Sequence, residues 1–128
     1  MTVPETQENA MSIQKQTILV VEDDELVQAF LALHLENEGY DVCTAATGAE
    51  MIRSLSMAAP DLILLDLNLP DGDALSRASQ VRQHSNIPII IATTRSNRED
   101  RLMGLGIGAD VYVTKPFDPK ELLLRINN

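Results

Sequence analysis

At 128 residues the chain suits one domain, long enough to bury about two-thirds of its unfolded surface around a single core. Its formal charge of -9 and pI near 4.5 argue against direct contact with nucleic-acid phosphates, which usually takes a basic stripe. The single cysteine, Cys43, excludes an internal disulfide and fits a reducing, cytoplasmic setting; no run approaches the roughly 18 apolar residues of a membrane span, and no basic segment followed by an apolar one opens the chain.

Residues 1–16 are polar and aperiodic, with Pro4 among three glutamines, and read as a mobile tail. From Thr17 onward, short apolar runs rich in β-branched residues alternate with helical patterns. Ile18-Leu19-Val20-Val21 is the first buried strand, and Val27, Phe30, Leu31 and Leu35 mark the face of a first helix that stops at Gly39. Asp41 to Thr44 is a second, weaker strand. Thr47 with Glu50 opens the next helix as a capping box, and Met51, Ile52, Leu55 and Ala59 give its buried face. Leu62-Ile63-Leu64-Leu65 is the third strand, followed by a helix on Leu75, Ala78 and Val81. Ile89-Ile90-Ile91-Ala92 is the fourth, followed by a capping box at Ser96 with Glu99 and a helix on Leu102, Leu105 and Ala109. Val111-Tyr112-Val113 is the fifth, and Asp118, Pro119 and Glu121 start the last helix.

Five alternating β-α units imply right-handed crossovers and helices on both faces of a parallel sheet, a three-layer α/β sandwich. The last helical pattern reaches Asn128 after fewer than three turns, so an output domain is expected to follow in a longer protein.

Each strand but the second delivers polar residues at its carboxyl end, where open parallel sheets hold their ligands: Glu22 and Asp23, then Asp66, Thr93 and Lys115. Adjacent carboxylates beside a third repel one another unless a cation neutralises them, and Mg2+ suits such hard oxygen donors. The backbone carbonyl of Asn68 is a further candidate ligand. Asp24, one residue further from the strand, reads instead as a helix N-cap. Asp66 ends its strand in D-L-N-L-P-D-G, a loop bent by Pro70 and Gly72, and is the candidate nucleophile toward a phosphoryl group. Lys115 precedes Pro116, and a cis bond there would aim the ammonium at Asp66 or at a phosphate on it. Thr93 offers a hydroxyl to a phosphate oxygen.

These residues, in this order, resemble the receiver domain of bacterial two-component response regulators over residues 17–128. The marks are V-V-E-D-D, P-D-L-I-L-L-D-L-N-L-P, the threonine after Ile90-Ile91-Ala92, and G-A-D-V-Y-V-T-K-P-F-D-P-K-E-L. The resemblance implies a doubly wound, flavodoxin-like fold with sheet order 2-1-3-4-5 and five helices. It makes Asp66 the phosphoacceptor, Glu22 and Asp23 the metal acids, Thr93 and Tyr112 a switch pair, and Lys115 the phosphate partner, with a sensor histidine kinase as phosphodonor. Phosphate on Asp66 would draw Thr93 toward it and let Tyr112 swing inward.

Within the family the chain looks most like the winged-helix, DNA-binding (OmpR/PhoB-type) subfamily, particularly its anaerobic-respiration regulators, which carry E-D-E-L-V and D-I-N-L-P. That likeness implies a homodimer through the fourth helix, fifth strand and fifth helix, with Arg101, Asp110, Glu121 and Arg125 at the ion-pairing positions, and DNA contact only through a separate effector domain. The usual G-L-E and A-D-D-Y appear here as Gly104-Leu105-Gly106 and Ala109-Asp110-Val111-Tyr112, two acids fewer, so a weakened dimer is expected. Thr94 stands where the family usually has alanine or glycine and is expected to narrow access to Asp66; Arg95 and Asn68 hold positions that tune phosphate loss.

A switch module that acts only on itself is the first reading. An aspartate-nucleophile phosphotransfer enzyme is the second, but it lacks an acid at D-x-D spacing, and His34 and His84 read as surface residues. A phosphorylation-independent interaction domain is the third.

Overall fold

The computed structural model describes residues 15–127. Five strands, β1 (Thr17–Val21), β2 (Asp41–Ala45), β3 (Leu62–Leu65), β4 (Ile89–Thr93) and β5 (Val111–Thr114), alternate with helices α1 (Glu25–Asn37), α2 (Gly48–Met57), α3 (Ala74–His84), α4 (Arg98–Gly106) and α5 (Pro119–Asn127). All pairings are parallel, and the sheet order is β2-β1-β3-β4-β5, the doubly wound arrangement expected. Most of the tail expected at residues 1–16 lies outside the described residues. Gln16, at the end of that stretch, accepts the Asp41 N–H through its carbonyl at 3.0 Å and so starts the β1–β2 ladder one residue before Thr17.

Side chains alternate across a strand, so each strand feeds two cores. Ile18, Val20, Leu64, Ile90, Ala92 and Val113 meet Leu31 and Leu35 of α1 and Leu122 of α5. Leu19, Val21, Ile63, Leu65, Ile89, Ile91 and Tyr112 meet Met51 of α2 and Leu75, Ala78 and Val81 of α3. Because both faces of the sheet are covered, its inner strands read as unbroken apolar runs.

The helix ends follow side-chain chemistry. Asp24 caps α1 by accepting from Leu26 N and Val27 N, and Gly39, at φ 96°, follows that helix in the left-handed conformation that glycine adopts without strain. Thr47 Oγ1 accepts from Glu50 N at 3.0 Å, while Glu50 reaches back to Ala46 N. The cap of α4 is Asn97, not Ser96: its side chain accepts from Asp100 N at 2.8 Å and donates to the Asp100 carboxylate at 2.9 Å, so one amide satisfies both directions.

Several expected helix faces also shift. Phe30, Ile52, Leu102 and Leu105 are exposed, and Ala59 lies beyond α2, where Pro60 keeps it out of helical geometry. In α4 the buried residue is Gly104: a Cβ there would come within 2.8 Å of Ile91 Cδ1 and 2.9 Å of Tyr112 Cδ2. The helix therefore packs through backbone at that point, and its leucines are turned outward.

Candidate functional site

The strand register brings the site together. Val21, Leu65 and Ile91 are level across β1, β3 and β4, so the residues that follow emerge side by side. The ladder continues one step past the strands: Glu22 N donates to Ala45 O at 2.9 Å, Asp66 N to Val21 O at 3.0 Å, and Lys115 N to Thr93 O at 2.7 Å. Gln28 of α1 adds side-chain bonds to the carbonyls of Glu22 and Ala45. Backbone held this firmly leaves the polar side chains little choice of direction.

Glu22, Asp66 and Thr93 are buried, whereas Asp23 is exposed at the mouth. Lys115, from the loop after β5, reaches between the two buried acids. Its Nζ donates to Asp66 Oδ2 at 2.9 Å and to Glu22 Oε1. The Lys115–Pro116 bond is cis. Asp66 Oδ1 accepts the Asn68 N–H at 3.0 Å, and Glu22 Oε2 accepts the Asp24 N–H at 3.2 Å.

Electrostatics set the two buried acids apart. Burial alone would raise both. It does raise Glu22, helped by the charge of Asp66 and opposed by the Lys115 bond. For Asp66 burial is outweighed by the Asn68 N–H, the Lys115 ammonium and, less, the Thr93 hydroxyl, so its carboxyl lies below the usual range and stays ionised. Burial would lower Lys115 too, but the two carboxylates hold it above the ordinary amine value.

Carboxylate oxygens of Glu22, Asp23 and Asp66 lie within 4.8 Å of one another, a spacing and donor type that fit a small hard cation. Lys115 already neutralises part of this charge, and a cation beside Asp23 would complete it.

Above the acids, residues expected to act separately form one chain of hydrogen bonds. Asn68 Nδ2 donates to Thr94 Oγ1 at 2.8 Å, Arg95 Nε donates to Asn68 Oδ1 at 2.9 Å, and Arg95 Nη2 reaches Leu67 O at 3.3 Å. Tyr112 Oη donates to the Arg95 carbonyl at 2.6 Å. The tyrosine ring stands inward, in the room that Gly104 leaves, and burial together with the nearby Asp100 charge raises its phenol above the usual value.

On the face of α4, β5 and α5, Arg101, Glu121 and Arg125 are exposed. Asp110 is also exposed, but its carboxylate is engaged within the chain, accepting the Ile89 N–H at 2.9 Å and pairing with Arg82 at 3.5 Å. His34 and His84 sit in the last turns of α1 and α3, away from the strand ends that carry the acids. Sequence reasoning missed Gln28, Asp71 and the packing role of Gly104. Asp71 was hidden among loop acids, and only the fold shows that it reaches the start of α2.

The acids, hydroxyl and ammonium gathered at the strand ends of this doubly wound domain are the groups a phosphoacceptor site would use. The Response regulator receiver domain family matches residues 18–127, and the chain belongs to that family. The TorCAD operon transcriptional regulatory protein TorR of Escherichia coli K12 is 44% identical over 111 residues, covering 87% of this chain and 48% of that protein. The aerobic respiration control protein ArcA of the same strain is 43% identical, covering 87% and 47%. The crystal structure of the receiver domain of the TMAO respiratory system response regulator TorR superposes with a TM-score of 0.84 at 43% identity, covering 88% of this chain and 94% of that one. The chain thus spans about half the length of the curated relatives it matches.

Proposed function

We propose that Asp66 accepts a phosphoryl group from a phosphohistidine on a sensor kinase and that the modified domain controls a separate output. The observation that carries this reading is the buried, ionised Asp66 held by Lys115 beside Glu22, with Asp23 open to solvent at the mouth. In the reaction an Asp66 oxygen attacks phosphorus; the new O–P bond forms as the P–N bond to the imidazole breaks, and the imidazole leaves with its electron pair. Lys115 then follows the new negative charge, and the Thr93 hydroxyl donates to a phosphate oxygen.

Glu22, Asp23, Asp66 and the Asn68 carbonyl are the residues that would hold Mg2+. The ion would offset repulsion between the carboxylate and the incoming phosphoryl group. We read the chain as a switch and not as an enzyme on outside substrates, in keeping with histidines set away from the acids.

Residues 17–128 act as the receiver, and in the whole protein a DNA-binding output is inferred from relatives named as transcriptional regulators, of which the matched segment covers about half. A homodimer through α4, β5 and α5 would carry the signal. Among the described residues no helix is long and apolar enough to cross a membrane, and we place the exchange in the cytoplasm, in keeping with the free Cys43.

The test is intact mass after incubation with acetyl phosphate or phosphoramidate, with and without Mg2+. The expected result is a labile gain of one phosphoryl group that needs Mg2+ and is absent from Asp66→Asn, while that variant keeps its fold by circular dichroism. Labelling that persists in Asp66→Asn would show another acceptor, and no adduct with any donor would favour an interaction domain that works without phosphate.

A further inference from the structure

The cation pocket has two halves carried by different parts of the chain. Glu22 rides on the β1–β2 junction, since its N–H is bonded to Ala45 O and Gln28 ties the Glu22 and Ala45 carbonyls together. Asp66 and Asn68 ride on the loop between β3 and α3. The sheet already fixes Asp66 against β1, through its N–H on Val21 O, but the loop beyond it carries Asn68 past the last strand bond, and Asp71 makes the only side-chain bonds among the described residues from that loop to α2, which follows Ala45.

Its carboxylate takes three donors. Oδ1 accepts the Gly48 N–H at 2.9 Å, Oδ2 accepts the Ala49 N–H at 3.0 Å, and Arg77 Nη2 of α3 lies 3.3 Å from Oδ2. The first turn of a helix favours an anion there, through unpaired N–H groups and the helix dipole. Thr47 and Glu50 already satisfy the neighbouring amides, so Asp71 fills the two positions they leave. Gly48 makes the third contact possible: a Cβ on it would stand 2.3 Å from Arg77 Cδ. These donors also hold the Asp71 carboxyl below the usual range, the Gly48 N–H most of all.

We infer that Asp71 is a positioning residue, latching the loop that carries Asn68 to the start of α2 and so setting where the Asn68 carbonyl stands against Glu22 and Asp66 in the Mg2+ site. The inference rests on the function proposed above. Asp71 is not among the residues that would hold the ion or the phosphoryl group. It acts through the backbone of Asn68, whose N–H is bonded to Asp66.

The test is Mg2+ affinity of the whole chain by isothermal titration, together with amide hydrogen exchange at Asn68. Asp71→Ala should weaken Mg2+ binding about 10-fold or more, the scale for groups that orient metal ligands, and should speed exchange at Asn68; Asp71→Asn, which keeps one carbonyl acceptor, should fall between. Asp61→Ala is the control, because Asp61 also accepts a backbone N–H, that of Thr17 at 2.8 Å, but at the opposite end of the sheet. It should lower the melting temperature and leave Mg2+ affinity unchanged. If the parent binds Mg2+ and Asp71→Ala binds it equally well, or if both aspartate variants lose affinity alike, the latch is overturned. If the parent binds no Mg2+, the functional reading falls and this inference with it.

Discussion

Lys115 is the residue on which the site's charge balance turns. It is the ammonium between two buried carboxylates, and without it Glu22 and Asp66 face each other unscreened. Lys115→Met should lower stability at pH 7 by about 1.5–3 kcal/mol, and Mg2+ should raise the melting temperature of the variant more than that of the parent. Equal Mg2+ shifts in both proteins would count against a shared role in neutralisation.

Thr94 allows a kinetic test at the same scale. Its hydroxyl holds Asn68 over the mouth, so Thr94→Ala removes both bulk and a hydrogen bond. Phosphorylation by acetyl phosphate should become faster, and an unchanged rate would dismiss the idea that Thr94 narrows access.

Asp71 provides the pH dependence. Its folded pKa is depressed, so the unfolded chain binds the extra proton, and the stabilisation is present above the unfolded value, about 3.9, and lost as pH falls through the folded one. The stability difference between the parent and Asp71→Asn should therefore be largest near neutrality and close in acid, as urea melts at stepped pH would show.

Among the elements, legibility varied with the kind of packing. The inner strands were readable because both faces of the sheet are covered, which leaves flat apolar runs, and α3 was readable because Leu75, Ala78 and Val81 all point inward. The face of α4 was not. Its leucines obey helical spacing, yet the contact with the sheet is made by Gly104, and a residue without a side chain leaves no hydrophobic signal. Ser96 with Glu99 fits the capping-box spacing while Asn97 is followed three residues on by Asp100, and only geometry shows that Asn97 is the cap. The site residues at the strand ends were legible because strand ends are marked by the runs before them. The links among Asn68, Thr94, Arg95 and Tyr112 were not, being contacts between distant loops.

Two glycines of α4 make the point measurable. Gly106→Ala meets nothing within 4 Å and should stabilise by about 0.5–1 kcal/mol through helix propensity. Gly104→Ala gains the same propensity but forces Ile91 and Tyr112 aside and should destabilise by about 1–3 kcal/mol overall. Thermal melts of the two variants moving the same way would contradict the packing described for α4.

For the whole molecule, the open question is how a change at Asp66 leaves the domain. The α4, β5 and α5 face carries exposed Leu102, Leu105 and Leu124 among Arg101, Glu121 and Arg125, a mixture suited to a partner of its own kind. Asp110 sits there too, but its bonds to Ile89 and Arg82 make it part of the fold. Under the proposed dimer, Arg101→Glu should weaken association of the phosphorylated protein in sedimentation with little change in melting temperature, whereas Asp110→Ala should lower the melting temperature with little effect on association. The reverse pattern would show that Asp110 serves the interface.

Arg95 stands at a crossing. Its side chain grips Asn68 above Asp66, and its carbonyl holds the Tyr112 hydroxyl beneath α4. Under the proposed function, the first contact bears on how long a message persists and the second on how loudly it is heard. With both resting on one loop residue, a shift of this loop would move memory and volume together, whereas a substitution of the Arg95 side chain, which leaves the carbonyl in place, would touch memory alone.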